Sequence, residues 1–127
     1  MIQHVTRQIS PAQLESCVRF YAILGFEPVA VPPSVAGRAV WLARPDPAAA
    51  RLSGAQIHLM PSEDARPEQG HVAFLLDGYE AVVERLREAG FEVQARRQHW
   101  GAPRAYVRDP AANLVELMAA APDEPPE

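Results

Sequence analysis

The chain reads GHVAFLLDGYEAVVERLREAG over residues 70–90, and this stretch decides the fold. From Gly70 to Leu76 bulky apolar residues occupy alternate positions, a pattern typical of a β-strand. The next segment has apolar residues at i, i+3, i+4, i+7 and i+10, namely Tyr79, Val82, Val83, Leu86 and Ala89. This spacing predicts a helix that Asp77 is placed to cap and that Gly90 can end in the left-handed conformation.

The same order of signals occurs earlier in the chain. A strand-like run from Ile2 to Ile9 is followed by Ser10 and Pro11, which suit an N-cap and a first helical residue. Gly25 then ends a helix as Gly90 ends the later one. The apolar stripe of this helix has the same spacing, with Leu14, Cys17, Val18, Tyr21 and Leu24. Agreement of strand, stripe and stop signal in one order indicates a duplicated module.

Similar strands also close the two halves, IHLM at 57–60 and VELM at 115–118. Between helix and closing strand, each half has room for two more strands. We expect them near residues 27–31 and 38–43 in the first half, and near 92–96 and 104–108 in the second.

These elements predict an α+β fold in which two βαβββ modules, about residues 1–60 and 70–119, form a curled mixed sheet around one cleft. We expect residues 1–119 to form a single domain. The first half carries an additional proline- and alanine-rich loop from Pro45 to Gly54. Residues 120–127 are acidic and proline-rich, so we expect a disordered tail.

Composition narrows the range of partners. The 127 residues carry a net charge of −4, which argues against a nucleic-acid partner, because phosphate binding requires a basic surface. No apolar run approaches the roughly 20 residues of a membrane span, and the N-terminus has no signal-peptide pattern. The single cysteine, Cys17, cannot form an internal disulfide. We therefore expect a cytoplasmic protein without a membrane partner.

Strand alternation groups four residues that can bind metal. Since side chains alternate between the faces of a strand, the apolar positions show which neighbours face away from the helices. A lone histidine there is more often a half-buried residue with a hydrogen-bond partner, and a lone glutamate a salt-bridged residue. The joint pattern, at repeat-related positions, instead predicts one divalent metal ion, because imidazole and carboxylate suit a borderline transition metal. The four residues are His4, His58, His71 and Glu116.

Five short motifs run through both halves of the chain, namely QHV at 3–5, FYAILGF at 20–26, GHVAF at 70–74, RDP at 108–110 and NLVEL at 113–117. With these motifs the chain resembles the vicinal oxygen chelate superfamily, which includes glyoxalase I, methylmalonyl-CoA epimerase, extradiol dioxygenases, fosfomycin-modifying enzymes and bleomycin-resistance proteins. The resemblance implies that His4, His71 and Glu116 occupy the metal positions of the family. It also implies that His58 occupies a more variable position, where relatives have glutamate, glutamine, histidine or no ligand.

One turn departs from the family pattern. The turn before the last strand usually contains glycine, whereas this chain has DPAAN at 109–113. A positive φ at Ala112 would cost about 1 kcal/mol, so we expect a slightly altered turn that leaves the ligands in place.

The resemblance implies chemistry at a metal-bound pair of neighbouring oxygens. A divalent nickel, cobalt, zinc, manganese or iron ion would act as a Lewis acid. Glu116 is then the candidate for both ligand and catalytic base, as in a glyoxalase- or epimerase-like lyase or isomerase. One alternative is a metal-free protein that binds a small molecule or confers antibiotic resistance. Another is a non-haem dioxygenase, which usually needs two histidines and one carboxylate and which a ligating His58 disfavours.

Five further residues are candidates for contact with a small-molecule substrate. Arg104, Tyr106 and Arg108 share the strand face that the resemblance makes the cleft face. Both arginines could instead be solvated edge charges, the interpretation that we favour for Arg108. Trp41 would line the cleft wall or pack in the core. Trp100 lies in a loop that could close over a substrate or stay a surface loop. Thr6 faces the same side of its strand as His4.

Assembly follows from the resemblance as well. Many small relatives with two modules pair the first half of one chain with the second half of another. We therefore expect a homodimer whose clefts are shared between chains, with closure inside one chain as the alternative.

Overall fold

The structure is a computed structural model that describes residues 2–45 and 54–122. The chain divides after Pro67 into two compact units, called here the first and the second module. Most of the loop expected from Pro45 to Gly54 lies outside the described residues. The same holds for residues 123–127 of the expected tail.

The first module contains a four-stranded mixed sheet and one α-helix. Its sheet has the order β1-β4-β3-β2, with β1 parallel to β4 and the other neighbours antiparallel. The opening and closing strands of the module are therefore neighbours. The elements are β1 (His4–Ile9), a 3₁₀ turn (Pro11–Gln13), α1 (Leu14–Ile23), β2 (Glu27–Val29), β3 (Val40–Ala43) and β4 (Gln56–Pro61).

The second module repeats this topology. Its sheet has the order β5-β8-β7-β6, again with the opening and closing strands parallel. Neither helix in the described parts of the chain is long and apolar enough to cross a membrane. The elements are β5 (His71–Leu75), α2 (Tyr79–Glu88), β6 (Gln94–Ala95), β7 (Arg104–Arg108) and β8 (Leu114–Met118). The prediction of two βαβββ modules in an α+β fold is thus confirmed.

Three of the inner strands are shorter than expected. β2 ends at Val29, and a turn closed by the Val35 amide on the Pro32 carbonyl begins soon after it. β3 starts only at Val40, after Gly37 with φ 82°. β6 keeps two residues of the predicted 92–96. Proline and glycine limit the length of β2 and β3, because proline cannot donate a ladder hydrogen bond and glycine weakens a strand. Residues 92–96 around β6 contain neither.

Both helices end as predicted, at glycines in the left-handed conformation. Gly25 has φ 96° and Gly90 has φ 92°. After the first glycine, the amide of Phe26 donates to the carbonyl of Tyr21 at 3.0 Å, and the equivalent bond closes α2. This is the Schellman arrangement, which satisfies carbonyl groups that the helix end would otherwise expose.

The helix starts agree with the prediction only in part. Ser10 and Pro11 are the N-cap and the first residue, as predicted, but of the 3₁₀ turn that precedes α1. Ser10 makes no side-chain cap bond, and its carbonyl instead accepts the Gln13 amide at the start of the 3₁₀ turn. The prediction that Asp77 caps α2 is wrong, because the N-cap residue is Gly78 with φ 67°. Its carbonyl accepts the Val82 amide, so Asp77 lies one position outside the helix.

The core of each module is built from the predicted helix stripe and the alternate residues of the strands. Cys17 is fully buried on α1, as expected of an apolar-stripe position. Tyr21 and Leu86 are fully buried at equivalent positions of α1 and α2, and Ile57 and Val115 are buried on the closing strands. Arg7 is a charged exception in this core, since it is 2% exposed at the core-side position of β1 between Val5 and Ile9.

The turn before β8 does adopt a positive φ. Ala112 has φ 68°, the only non-glycine residue of the described chain with such a value. The carboxylate of Asp109 holds the turn, because its Oδ1 accepts the amides of Ala111 and Asn113, both at 2.9 Å. The Arg108 guanidinium donates to the Ala112 carbonyl at 3.0 Å. The turn therefore keeps the glycine-like conformation at an alanine rather than avoiding it.

Candidate functional site

The two modules place their candidate ligands at the same sheet positions. In the first module, His58 on β4 lies opposite Trp41 on β3 and opposite Thr6 on β1. In the second, Glu116 on β8 lies opposite Tyr106 and Ala73. His4 and His71 each open the strand that runs parallel to the closing strand, two positions before Thr6 and Ala73. Each module thus carries one pair of candidate ligands on one sheet face, at register-equivalent positions.

The first pair forms part of a stack of three aromatic rings. The His58 ring lies against Trp41, with centroids 4.3 Å apart and planes 4° apart. It also lies against His4, with centroids 4.0 Å apart and planes 12° apart. His58 is buried, whereas His4 is exposed. Burial lowers the pKa of the His58 imidazole below its ordinary value, and the neighbouring His4 lowers it further.

Side-chain amides orient both imidazoles. Nδ1 of His4 donates to Oε1 of Gln3 at 2.6 Å, and Nε2 of His58 donates to Oε1 of Gln56 at 2.9 Å. A histidine ligand usually donates its second ring N–H to a neighbouring acceptor, and the bond fixes its tautomer. His4 therefore presents Nε2 as a potential ligand atom, and His58 presents Nδ1.

The stack limits how the first pair could bind metal. An imidazole nitrogen binds a metal ion in the plane of its ring. The planes of His4 and His58 are nearly parallel, so they do not meet near the rings. In this conformation one ion cannot lie in both planes, and one of the two rings must leave the stack before both can bind the same ion.

The second pair is a histidine and a carboxylate at bonding distance. Nε2 of His71 lies 3.4 Å from Oε2 of Glu116. Two ligands bound at about 2.1 Å are about 3.4 Å apart across a tetrahedral edge and about 3.0 Å apart across an octahedral edge. The separation therefore fits a shared divalent ion. Glu116 is 7% exposed. His71 is exposed and lies on β5, an edge strand of the sheet.

The other oxygen of this carboxylate is bound to an arginine. Nε of Arg104 donates to Oε1 of Glu116 at 2.6 Å, and both side chains are buried. Nη1 donates to the carbonyl of Arg97 at 2.9 Å, and Nη2 donates to the hydroxyl of Tyr106 at 3.2 Å. The hydrogen bond to Glu116 raises the pKa of the Arg104 guanidinium. With all its nitrogens engaged, Arg104 fixes one oxygen of Glu116 and balances its charge.

This arginine breaks the symmetry of the repeat. Because Trp41 corresponds to Tyr106, the position of Arg104 corresponds to Ala39 in the first module. The second module thus carries its own cation beside its carboxylate, and the first module has a small apolar residue there. Sequence reasoning predicted Arg104 on this face and missed its bond to Glu116.

The remaining predicted contact residues are placed as follows. Trp41 is half-buried and stacks on His58, and Thr6 is exposed opposite that histidine. Trp100 donates its indole N–H to the carbonyl of Ala120 at 2.9 Å. Over residues 2–45 and 54–122, no three His, Cys, Asp or Glu side chains are gathered closely enough to hold a metal ion. The predicted ligands are therefore found as two pairs, one in each module.

Three residues near the site were not among the predicted site residues. Gln56 could have been found, because it lies two residues before His58 on the same strand face. Gln3 precedes the first strand, and no periodic signal marks it. The same strand alternation points to Arg96, whose guanidinium lies over the Tyr106 ring with Cζ 5.0 Å from the centroid.

Comparison with solved structures supports the fold. A glyoxalase family protein from Bacillus anthracis is 24% identical, with a TM-score of 0.76 and coverage of 93% of each chain. A lactoylglutathione lyase from Agrobacterium tumefaciens is 20% identical, with a TM-score of 0.66 and coverage of 93% of this chain and 92% of that one. The bleomycin resistance determinant of transposon Tn5 is 18% identical, with a TM-score of 0.63 and coverage of 90% and 94%. Identities this low show the shared fold alone.

The family is shown by the sequence itself. No curated protein is similar enough to this chain to count as a match. Residues 1–117 match the family model of the Glyoxalase/Bleomycin resistance protein/Dioxygenase superfamily, which covers both modules. With the repeat, the sheet order and the family match in agreement, the chain belongs to the glyoxalase/bleomycin resistance protein/dioxygenase superfamily.

Proposed function

We propose that the protein is a metal-dependent lyase or isomerase that acts on a small molecule through two neighbouring oxygens. The observation that carries this proposal is the register-equivalent pair of candidate ligands on each module. His4, His71 and Glu116 would be the principal ligands. His58 would be the fourth ligand, and it would share the ion with His4 only when one of the two rings leaves the stack.

A divalent nickel, cobalt, zinc, manganese or iron ion fits this donor set of imidazoles and carboxylate. It would supply Lewis-acid stabilisation for negative charge that develops on substrate oxygen. We further propose that the protein is a homodimer in which the first-module pair of one chain and the second-module pair of the other complete each site. The metal would then stabilise the dimer by linkage.

Glu116 is the candidate for proton transfer. Its Oε1 is held by Arg104 at 2.6 Å, so Oε2 is the oxygen that can bind a cation or accept a proton. These two roles therefore exclude each other at any one moment. Arg104 keeps the carboxylate in place while Oε2 changes partner, because its Nη atoms are anchored on Arg97 and Tyr106.

Metal content is the first test of the proposal. Protein purified without chelators is analysed for metals, stripped, and reloaded with each of the five candidate ions in turn. We expect about one ion per complete site and a dissociation constant below the micromolar range. If none of the ions binds more tightly than micromolar, the alternative of a metal-free small-molecule binding or resistance protein is favoured.

Ligand substitutions test the assignment. His71→Ala and Glu116→Ala should abolish metal binding, because each removes a member of the second pair. His58→Gln should retain metal, because the His58 ring is held in the stack. His99→Ala is the matched control, since His99 is an exposed loop histidine. Loss of metal in His58→Gln together with retention in His71→Ala would show that the ligand ranking is wrong.

Complementation tests the shared cleft. His4→Ala and Glu116→Ala are each expected to be inactive as homodimers. A mixture of the two should regain activity, because each heterodimer would contain one site with all its ligands. Light scattering measures the oligomeric state in parallel. A monomer that binds metal at full stoichiometry would contradict the proposed homodimer.

The stack also favours a second candidate, a non-haem oxygenase. If His58 stays bonded to Gln56, the donors are two histidines and one carboxylate, the set typical of oxygen-activating iron sites. Nitric oxide, which mimics dioxygen at iron, is then expected to bind to the iron(II)-loaded protein and to give an electron paramagnetic resonance signal. Absence of that signal would leave the lyase or isomerase as the better candidate.

A further inference from the structure

The second module contains a small cleft beside the Glu116 pair. Its volume is about 370 Å³, close to the lower limit of small-molecule pockets. Tyr106 forms one wall of the cleft and lies directly opposite Glu116 on the neighbouring strand. The residues around the cleft are Glu92, Gln94, Arg96, Tyr106, Val107, Arg108 and Leu114.

Two arginines contribute most of the charge in this cleft. Arg96 lies with its guanidinium over the Tyr106 ring, and within the described part of the chain it forms no ion pair. One guanidinium nitrogen of Arg108 donates a hydrogen bond to the Ala112 carbonyl. Glu92 brings one negative charge and accepts the Gln94 amide at 3.1 Å, so the lining retains a positive balance.

Arg104 does not contribute to this balance. Its guanidinium also approaches the Tyr106 ring, with Cζ 5.3 Å from the centroid, but its charge is offset by Glu116. Arg96 and Arg108 are both exposed, so their remaining N–H groups can turn toward a bound anion. Leu114 and the Tyr106 ring give the same cleft an apolar side.

We propose that this cleft is the subsite for the anionic group of the substrate, which would carry a carboxylate or phosphate on a small apolar or planar body. Arg96 and Arg108 donate to the anion, because a guanidinium matches the geometry of both groups. The body of the ligand packs on Tyr106 and Leu114. The inference rests on the proposed function in one respect: it assumes that the reacting oxygens of the substrate lie at Glu116, next to this cleft.

Three probes of matched shape test the subsite by titration with NMR detection in the presence of a chelator. Benzoate and phenyl phosphate carry the anion, and benzamide is the neutral analogue. We expect the better anion to bind at least tenfold more tightly than benzamide, and added salt to weaken it. Which anion binds better decides between a carboxylate and a phosphate substrate. Equal binding of benzamide and both anions would overturn the proposal.

Substitutions then locate the binding. The double variant Arg96→Met with Arg108→Met should bind the better anion at least tenfold more weakly than the parent protein. The single variant Arg96→Lys, which keeps Arg108, should bind it with an affinity between those two. Arg19→Met, at an exposed position on α1, is the control and should leave binding unchanged. Unchanged binding in the double variant would refute the subsite.

The test separates the subsite from the metal proposal. Because all titrations are done without metal, anion binding at Arg96 and Arg108 can succeed even if no metal binds. Conversely, the double variant should retain the metal affinity of the parent protein. Within the described residues, neither arginine is bonded to His71 or to the Glu116 carboxylate. Failure of anion binding with intact metal binding would overturn the subsite alone.

Discussion

Replacing Ala112 with glycine should stabilise the protein. Ala112 has φ 68°, a conformation that costs an L-residue about 1–2 kcal/mol and costs glycine almost nothing. Glycine also gives the unfolded chain more freedom, which removes about 0.4–1 kcal/mol of that gain. The side chain of Ala112 is exposed, so little packing is lost. The expected net gain in the free energy of unfolding is about 0.8 kcal/mol at the middle of the two ranges, and the ranges allow about 0 to 1.6 kcal/mol.

Denaturation measures this gain. Chemical unfolding should show a higher midpoint with an unchanged slope, since the surface exposed on unfolding is the same. The melting temperature should rise by about 2–4 °C, as expected for a domain of this size. Metal binding should be unchanged, because the hydrogen bonds of Asp109 that hold the turn before β8 do not involve the Ala112 side chain.

The neighbouring alanine is the matched control. Ala111 has no positive φ, and its amide donates to Oδ1 of Asp109. Ala111→Gly should therefore destabilise the protein, because only the loss of unfolded-state restriction remains. The strain argument would be refuted if the two glycine variants changed stability equally, or if Ala112→Gly lowered the melting temperature.

Two further predictions concern the site. Arg104→Met should lower the melting temperature of the metal-free protein, because it leaves the Glu116 carboxylate buried without its cation. Zinc should then raise the melting temperature of the variant more than that of the parent protein. Equal melting temperatures of the two metal-free proteins would count against the ion pair. The folded-state pKa of His58 lies below its unfolded value of 6.5. In the metal-free protein, the stability that the neutral imidazole contributes should therefore be fully present above pH 6.5. It should be lost as the pH falls from 6.5 through the folded-state pKa. His58→Gln should remove that pH dependence, and a parent protein as stable at pH 5 as at pH 7 would contradict it.

Much of the fold could be predicted because its signals are local. The bounds of β7 match the expected residues 104–108, and both helices end at the predicted glycines. Alternation placed His58 and Glu116 on the strand faces away from the helices, and the resemblance placed Tyr106 on the cleft face. In the structure Glu116 lies opposite Tyr106, and His58 lies opposite Trp41. These features depend on residues close together in sequence or on the period of one strand.

The missed features depend on register and on side-chain conformation. Arg104 and Glu116 are on different strands, and the register that lets them meet is set by the whole β7–β8 ladder. The stack of His58 on His4 depends on how each ring turns about its side-chain bonds. At the start of α2, a cap signal at Asp77 and an Asp-Gly turn signal at 77–78 overlap, and the left-handed Gly78 is the N-cap residue.

The parallel ladder that joins the first and last strands of each module has a consequence for folding kinetics. The helix and the antiparallel pairs bring together residues that are near in sequence, whereas His4 pairs alongside Gln56 and His71 alongside Leu114. Loops of about fifty and about forty residues must close before these ladders form, so they should be the slow and final contacts within each module. A nascent or partly unfolded module would contain its helix and hairpins without a juxtaposed ligand pair. If the protein binds metal as proposed, premature capture of the ion by such a chain would be disfavoured, because its donor atoms are not yet brought together by the ladder.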